Sequence, residues 1–264
     1  VLELLLAAPL AFLVGLSLGL LGGGGSILTV PVLVYVLHVA PKTAIATSLV
    51  VVGVTSVAGA LRHARHRNLD LRVGLGFGVA GIVGASVGSR VAAMQAVPGA
   101  ALLVAFAVLM VIVSATMLRG GAGSGEPLAA GKRAEVSLIR VVGYGSLSGA
   151  LTGLLGVGGG FVIVPMLLLV ARLPMHLAVG TSLIVIALNC AAGLVGFLGH
   201  VPIRWSLALT FAVVSVAGSL VGATLAPRVR PRRLRRAFAI LVLVTGTAIL
   251  IEKGLEIWGG SVGQ

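Results

Sequence analysis

Ten apolar stretches separated by short polar breaks run along the chain, at roughly 1–21, 25–37, 43–61, 73–93, 98–118, 136–155, 159–171, 177–199, 205–226 and 235–251. An α-helix rises about 1.5 Å per residue, so ~20 apolar residues cross the ~30 Å hydrocarbon layer of a bilayer. Most stretches reach that length. Two fall short, 25–37 and 159–171, and both follow a glycine cluster. The pattern predicts an all-α polytopic membrane protein of about ten helical segments, two of them short. The first stretch lacks a charged leader region with a small-residue cleavage site and is expected to be a span, not a removed signal.

The pattern also repeats. Residues 15–33 and 149–167 are identical at ten of nineteen positions when shifted by 134: Gly15, Gly19, Leu20, Leu21, Gly22, Gly24, Gly25, Val30, Pro31 and Leu33. The same shift carries Ala44, Thr47, Ser48 and Leu49 onto Ala178, Thr181, Ser182 and Leu183, and Gly84 and Gly88 onto Gly218 and Gly222. Such self-similarity marks an internal duplication. The polar, Gly-rich stretch 119–135 divides the chain into a first transmembrane repeat, 1–118, and a second, 136–264, joined by a cytoplasmic linker.

Charge sets the expected orientation. With all ten segments crossing and the N-terminus outside, fifteen of the nineteen Lys and Arg fall in cytoplasmic loops, including Arg62, Arg65, Arg67, Arg72, Arg228, Arg230, Arg232, Arg233, Arg235 and Arg236. The positive-inside rule favours that arrangement, which places the C-terminus outside as well. An odd number of segments per copy turns the second copy over, and the basic loops then share one side. The two five-segment repeats are therefore expected to be inverted, with glycine-broken helices, a recurring plan of secondary transporters.

Composition narrows the class. The chain is 58% hydrophobic and 9% charged, against about 25% charged in soluble proteins. The net charge of +13 lies between spans, as in "LRHARHRNLDLR" and "RVRPRRLRR", where it meets anionic lipid headgroups. Nucleic acid is not an expected partner; a homo-oligomer is compatible with the sequence. The six acids, Glu3, Asp70, Glu126, Glu135, Glu252 and Glu256, all sit at segment ends or in loops. Without a carboxylate at mid-membrane, a metal-cation or amine substrate is disfavoured. No metal, cofactor or catalytic residue is expected, and the chain reads as a transporter, not an enzyme.

The glycine breaks carry the candidate chemistry. Residues 26–37 form only about 18 Å of helix, so each break is expected to dip below the membrane surface. Non-helical backbone survives there only if buried in protein or lining a watery cavity. Half-helices beginning near Ser26 and Phe161 would aim free N–H groups and positive dipole ends into the breaks. An anion is the expected ligand, held by backbone and side chains at Gly22, Gly24, Gly25, Ser26, Thr47 and Ser48 in the first copy. The second copy would contribute Gly156, Gly158, Gly159, Gly160, Thr181, Ser182 and Asn189, the last matched to Thr55. Pro31 and Pro165 remove a helix hydrogen bond and are the expected hinges. The competing reading is helix packing through small residues, with Ser and Thr bonding back to their own helices. His63 and His66 read as solvated loop histidines. "GFGVAG" (76–81) matches a nucleotide-binding pattern formally but lies inside a span, where it reads as helix packing.

At these residues the chain resembles the sulfite exporter TauE/SafE family of bacterial membrane proteins. The carriers are "GLLGGGGSILTVPVL" with "KTAIATSLVVV", and "GLLGVGGGFVIVPML" with "HLAVGTSLIVI". The second copy departs in having Gly160 for Ser26 and Val157 for Gly23. The resemblance implies a bacterial inner-membrane carrier that moves sulfite, sulfonates or other small organic anions, often outward, with rocking of one half against the other. An importer of another small solute and a non-transporting scaffold or assembly factor are the alternatives.

Overall fold

A computed structural model describes residues 2–94, 97–119, 138–155, 160–229 and 231–261. Among these residues it is all-helical: α1 (Leu2–Leu21), α2 (Gly24–Pro31), α3 (Pro41–Arg65), α4 (Leu71–Ala93), α5 (Gly99–Arg119), α6 (Leu138–Leu155), α7 (Gly160–Leu169), α8 (Met175–Phe197), α9 (Trp205–Leu225) and α10 (Pro231–Ser261). A π-helical turn, Val32–Val36, extends α2, and a 3-10 turn, Ala226–Arg228, follows α9. The apolar pattern located these elements closely, with one extension: α10 continues to Ser261, past the apolar stretch that ends at 251.

Among the described residues, four helices are long and apolar enough to cross a membrane: α3, α4, α8 and α9. The other apolar helical stretches are shorter, among them Ala8–Leu21, Gly25–Val36 and Val141–Leu155. Local chemistry places the boundaries. Pro41 opens α3, where its missing N–H costs nothing. Asp70 caps α4, its carboxylate accepting the Val73 N–H at 3.1 Å. Both short helices end in the same left-handed turn. His38 and Arg172, 134 residues apart, take φ of 48° and 50°. The next amides, Val39 and Leu173, donate back to Leu33 and Leu167 at 2.9 and 3.1 Å.

The packing is an exchange between the two halves. The first helix of each half lies along the fourth helix of the other: α1 on α9, and α6 on α4. Glycines permit both contacts, and they correspond residue by residue. A side chain at Gly15 would strike the Ser215 carbonyl, and one at Gly149 the Gly81 carbonyl. Gly218 lies on Phe12 as Gly84 lies on Ser146. Gly222 lies on Leu16 as Gly88 lies on Ala150. Each pair maps onto the other when both residues move by 134 in opposite directions. Between these seams, α3 and α8 form the buried interior and cross where Gly53 meets Cys190. One core cluster joins α1, α2, α3 and α9 through Val14, Leu33, Val51 and Phe211.

The candidate glycine-break site

α1 ends at Gly22, which adopts φ +76°. A left-handed residue there closes the helix, and glycine adopts it without steric cost. The Gly22 N–H returns to Leu18 at 2.8 Å and the Gly23 N–H to Leu21 at 2.9 Å. The chain then folds back. Gly25 packs on the Val14 carbonyl and Leu18, and Leu33 and Leu37 share a cluster with Ala11 and Val14. α1 and α2 are thus a helical hairpin with Gly22–Gly23 at its tip. α6 and α7 also touch, over a smaller contact. Gly156, Gly158 and Gly159, expected in the second break, lie outside the described residues; Gly160 is the first residue of α7.

The first break meets the start of α7. Gly23, the N-cap of α2, packs backbone to backbone against Gly160. Two helix N-termini therefore converge on one point, and no side chain caps the first turn of α2. Each N-terminus carries roughly half a positive charge. At ~5 Å and an effective dielectric near 20 their repulsion is about 1 kcal/mol, which a negative ligand would remove. Ser182 adjoins this junction from α8: its Oγ lies where a Gly22 side chain would be. One turn further on, Ile186 touches Gly160.

The other predicted residues divide by helix face. Thr181 and Asn189 turn away from the junction toward α4, in a seam where Gly74 receives Thr181 and Ile184, Gly78 receives Leu188, and Gly81 receives Asn189. The Thr181 hydroxyl accepts the Asp70 N–H at 2.9 Å. "GFGVAG" is therefore helix packing, as read from sequence. Asn189 is fully buried, and neither of its amide atoms has a hydrogen-bond partner. Thr47 is fully buried and its hydroxyl likewise lacks a partner.

The serines are occupied. Ser26 donates to the Gly23 carbonyl at 2.7 Å, Ser48 to Ile45 at 2.7 Å and Ser182 to Val179 at 2.8 Å. Thr55 donates to Val51 at 2.6 Å. A hydroxyl has one proton, so each must rotate before it can donate to an anion. Pro31 and Pro165 are buried inside α2 and α7. Only Pro31 is followed by a π-helical turn.

One residue corrects the sequence reading. His63, expected in a solvated loop, is 1% exposed. Its Nε2 lies 3.0 Å from the Gly19 carbonyl in the last turn of α1, where a helix leaves its carbonyls without intrahelical partners. The matched residue in the second half is Phe197, and that swap of an ionisable for an apolar side chain was the available signal. The other four histidines are exposed.

Known proteins resemble the chain over nearly its full length. A protein of Xylella fastidiosa (strain Temecula1) named "Probable membrane transporter protein" is 35% identical over 242 residues, covering 90% of this chain and 91% of the relative. Similarly named proteins of Methanocaldococcus jannaschii and Bacillus subtilis are 28% and 26% identical, covering 94% and 92% of this chain and 97% and 96% of their own lengths. No solved structure matches the chain. The family described as sulfite exporter TauE/SafE matches residues 7–249, and the chain belongs to that family.

Proposed function

We propose that this member of a membrane transporter family exports sulfite or a related small sulfur-containing or organic anion by alternating access around the Gly22–Gly23 and Gly160 junction. One observation carries the reading. Two helix N-termini, those of α2 and α7, converge at a glycine-only contact in the interior. Converging N-termini concentrate unpaired N–H donors and positive potential, which favours an anion and disfavours a cation. The first-turn amides near Gly24 and Gly25 supply donors, with those near Gly158 and Gly159 as expected counterparts. Ser182 stands beside them after hydroxyl rotation, with Ser48 its expected counterpart in the first copy. Thr47 and Asn189 hold buried polar atoms without partners; Asn189 faces Gly81 of α4 and would meet the anion only once α8 and α4 shift. The anion sits beside the Gly23–Gly160 contact, because the two backbones already touch.

The exchange of helices supports a particular division of the moving parts. One body is α1, α2, α3 and α9; the other is α6, α7, α8 and α4. Each draws on both sequence halves, so rocking occurs between these interlocked bodies and not between residues 1–118 and 136–264. Seam contacts that exchange under the 134-residue shift support an inverted repeat, and the positive-inside rule favours basic loops in the cytoplasm with both termini outside a bacterial inner membrane. The test is efflux of labelled sulfite, and of a permanently charged sulfonate, from liposomes holding only this protein. Saturable efflux above empty liposomes is expected. None for any anion tested would favour a scaffold, and movement restricted to an uncharged solute would refute the anion assignment.

A further inference from the structure

Besides Cys190, His63 is the only buried titratable side chain among the described residues. It stands where three elements meet. Nε2–H donates to the Gly19 carbonyl of α1, one turn before the hairpin tip. The His63 Cβ and the Asn68 carbonyl press on Gly180 of α8. Two residues past Gly180, Ser182 adjoins Gly22. On the loop side, the Asp70 N–H is held by Thr181. His63 therefore ties the hairpin tip, the basic loop and the Thr-Ser motif of the second half into one knot. Its second ring nitrogen, Nδ1, is buried with no hydrogen-bond partner.

We infer that His63 is a proton-binding site that latches the first glycine break: neutral His63 holds the α1 hairpin tip closed against α8, and proton uptake releases it toward the basic loop. In the closed arrangement a proton on Nδ1 creates a buried cation whose new N–H has no acceptor, whereas water accepts it once the tip moves. The C-terminal dipole of α1 favours the cation. The remaining surroundings oppose it. Arg62, Arg65 and His66 belong to α3 and its end, Arg67 to the loop and Arg72 to α4. His176 lies on the first turn of α8, and Arg228, Arg233 and Arg236 follow α9, on the elements packed against α1. Among the described residues of these elements Asp70 is the one acid, and its carboxylate already serves the Val73 N–H. By linkage, acid on the basic-loop side shifts the population toward the open tip. The second half has Phe197 at the matched position, so the latch acts at one end only.

The inference deepens the transport reading and rests on it for its meaning, but its test needs no substrate. In a Cys190→Ala background, Ser182→Cys places the remaining thiol at the tip. Its modification by a small charged methanethiosulfonate is followed from about pH 8 to pH 5.5, the range in which histidine titrates. Rates are divided by those of a control thiol at exposed Ala64, which removes the intrinsic pH dependence of thiolate formation. The expected result is a normalised rate that rises about tenfold in acid and stays flat in His63→Gln, which keeps a donor for Gly19 but cannot gain a proton. His63→Phe, carrying the second half's own residue, should be flat too and serves if the Gln variant unfolds. A flat profile with His63 present, or an equal rise in either variant, overturns the inference. Absent sulfite efflux with this pH response intact would instead sink the transport reading alone.

Discussion

The α1–α9 and α6–α4 seams repeat one another glycine by glycine, while the junctions at the two ends of the interior do not. Gly15 on Ser215 and Gly149 on Gly81 are the same contact made twice. At the basic-loop end, polar bonds tie everything together: His63 to Gly19, the Asp70 N–H to Thr181, and Asp70 to Val73. The matched positions are Phe197, Arg204 and Thr47. Arg204 provides no side-chain cap for α9, and the Thr47 hydroxyl has no partner. Backbone-to-backbone packing leaves no latitude, so both copies of a seam keep it. Side chains at the ends are free to differ, so the two ends need not open under the same conditions. The symmetric seams supply the scaffold, and the unequal ends distinguish one end of the interior from the other.

The largest effect should come from breaking a seam. Gly15→Val and Gly149→Val each drive a side chain into a carbonyl that cannot move aside, costing about 3 kcal/mol or the folded fraction entirely. Thermal unfolding in detergent should show equal losses. A large difference between the two would contradict the matched seams. Next is Asn189→Leu, which removes two buried polar atoms without partners. It should raise stability by about 1 kcal/mol and lower anion efflux. Raised stability with unchanged efflux would take Asn189 off the path. The smallest effect separates the ends. Asp70→Ala loses the α4 cap at about 1 kcal/mol, whereas Arg204→Ala should stay within about 0.5 kcal/mol. Equal losses would erase the asymmetry.

Much of this was legible in the sequence, for a physical reason. Apolar runs long enough for lipid mark helices almost unaided, and the glycine cluster located the first break. The faces of α8 were not legible. Thr181 and Ser182 are adjacent, yet about 100° of helical rotation separates them, so one serves α4 and the other the hairpin tip. Only the partner helices decide which is which. The end of α10 was missed because residues 252–261 are not apolar enough to extend the stretch. His63 was misread because the arginines around it imply solvent, while the packing of α1 and Gly180 covers it. The hairpin fold-back hinged on Gly25 meeting Val14, a contact that composition does not encode.

The central claim is that the touching N-termini of α2 and α7 form an anion site. Equilibrium binding of labelled sulfite to the purified protein, compared with Gly160→Ala, tests it most directly. The added methyl wedges Gly160 from Gly23 and Ile186. Saturable binding that weakens at least about tenfold, or about 1.4 kcal/mol, while thermal unfolding moves only slightly, is the predicted result. Equal affinity in the two proteins would contradict it.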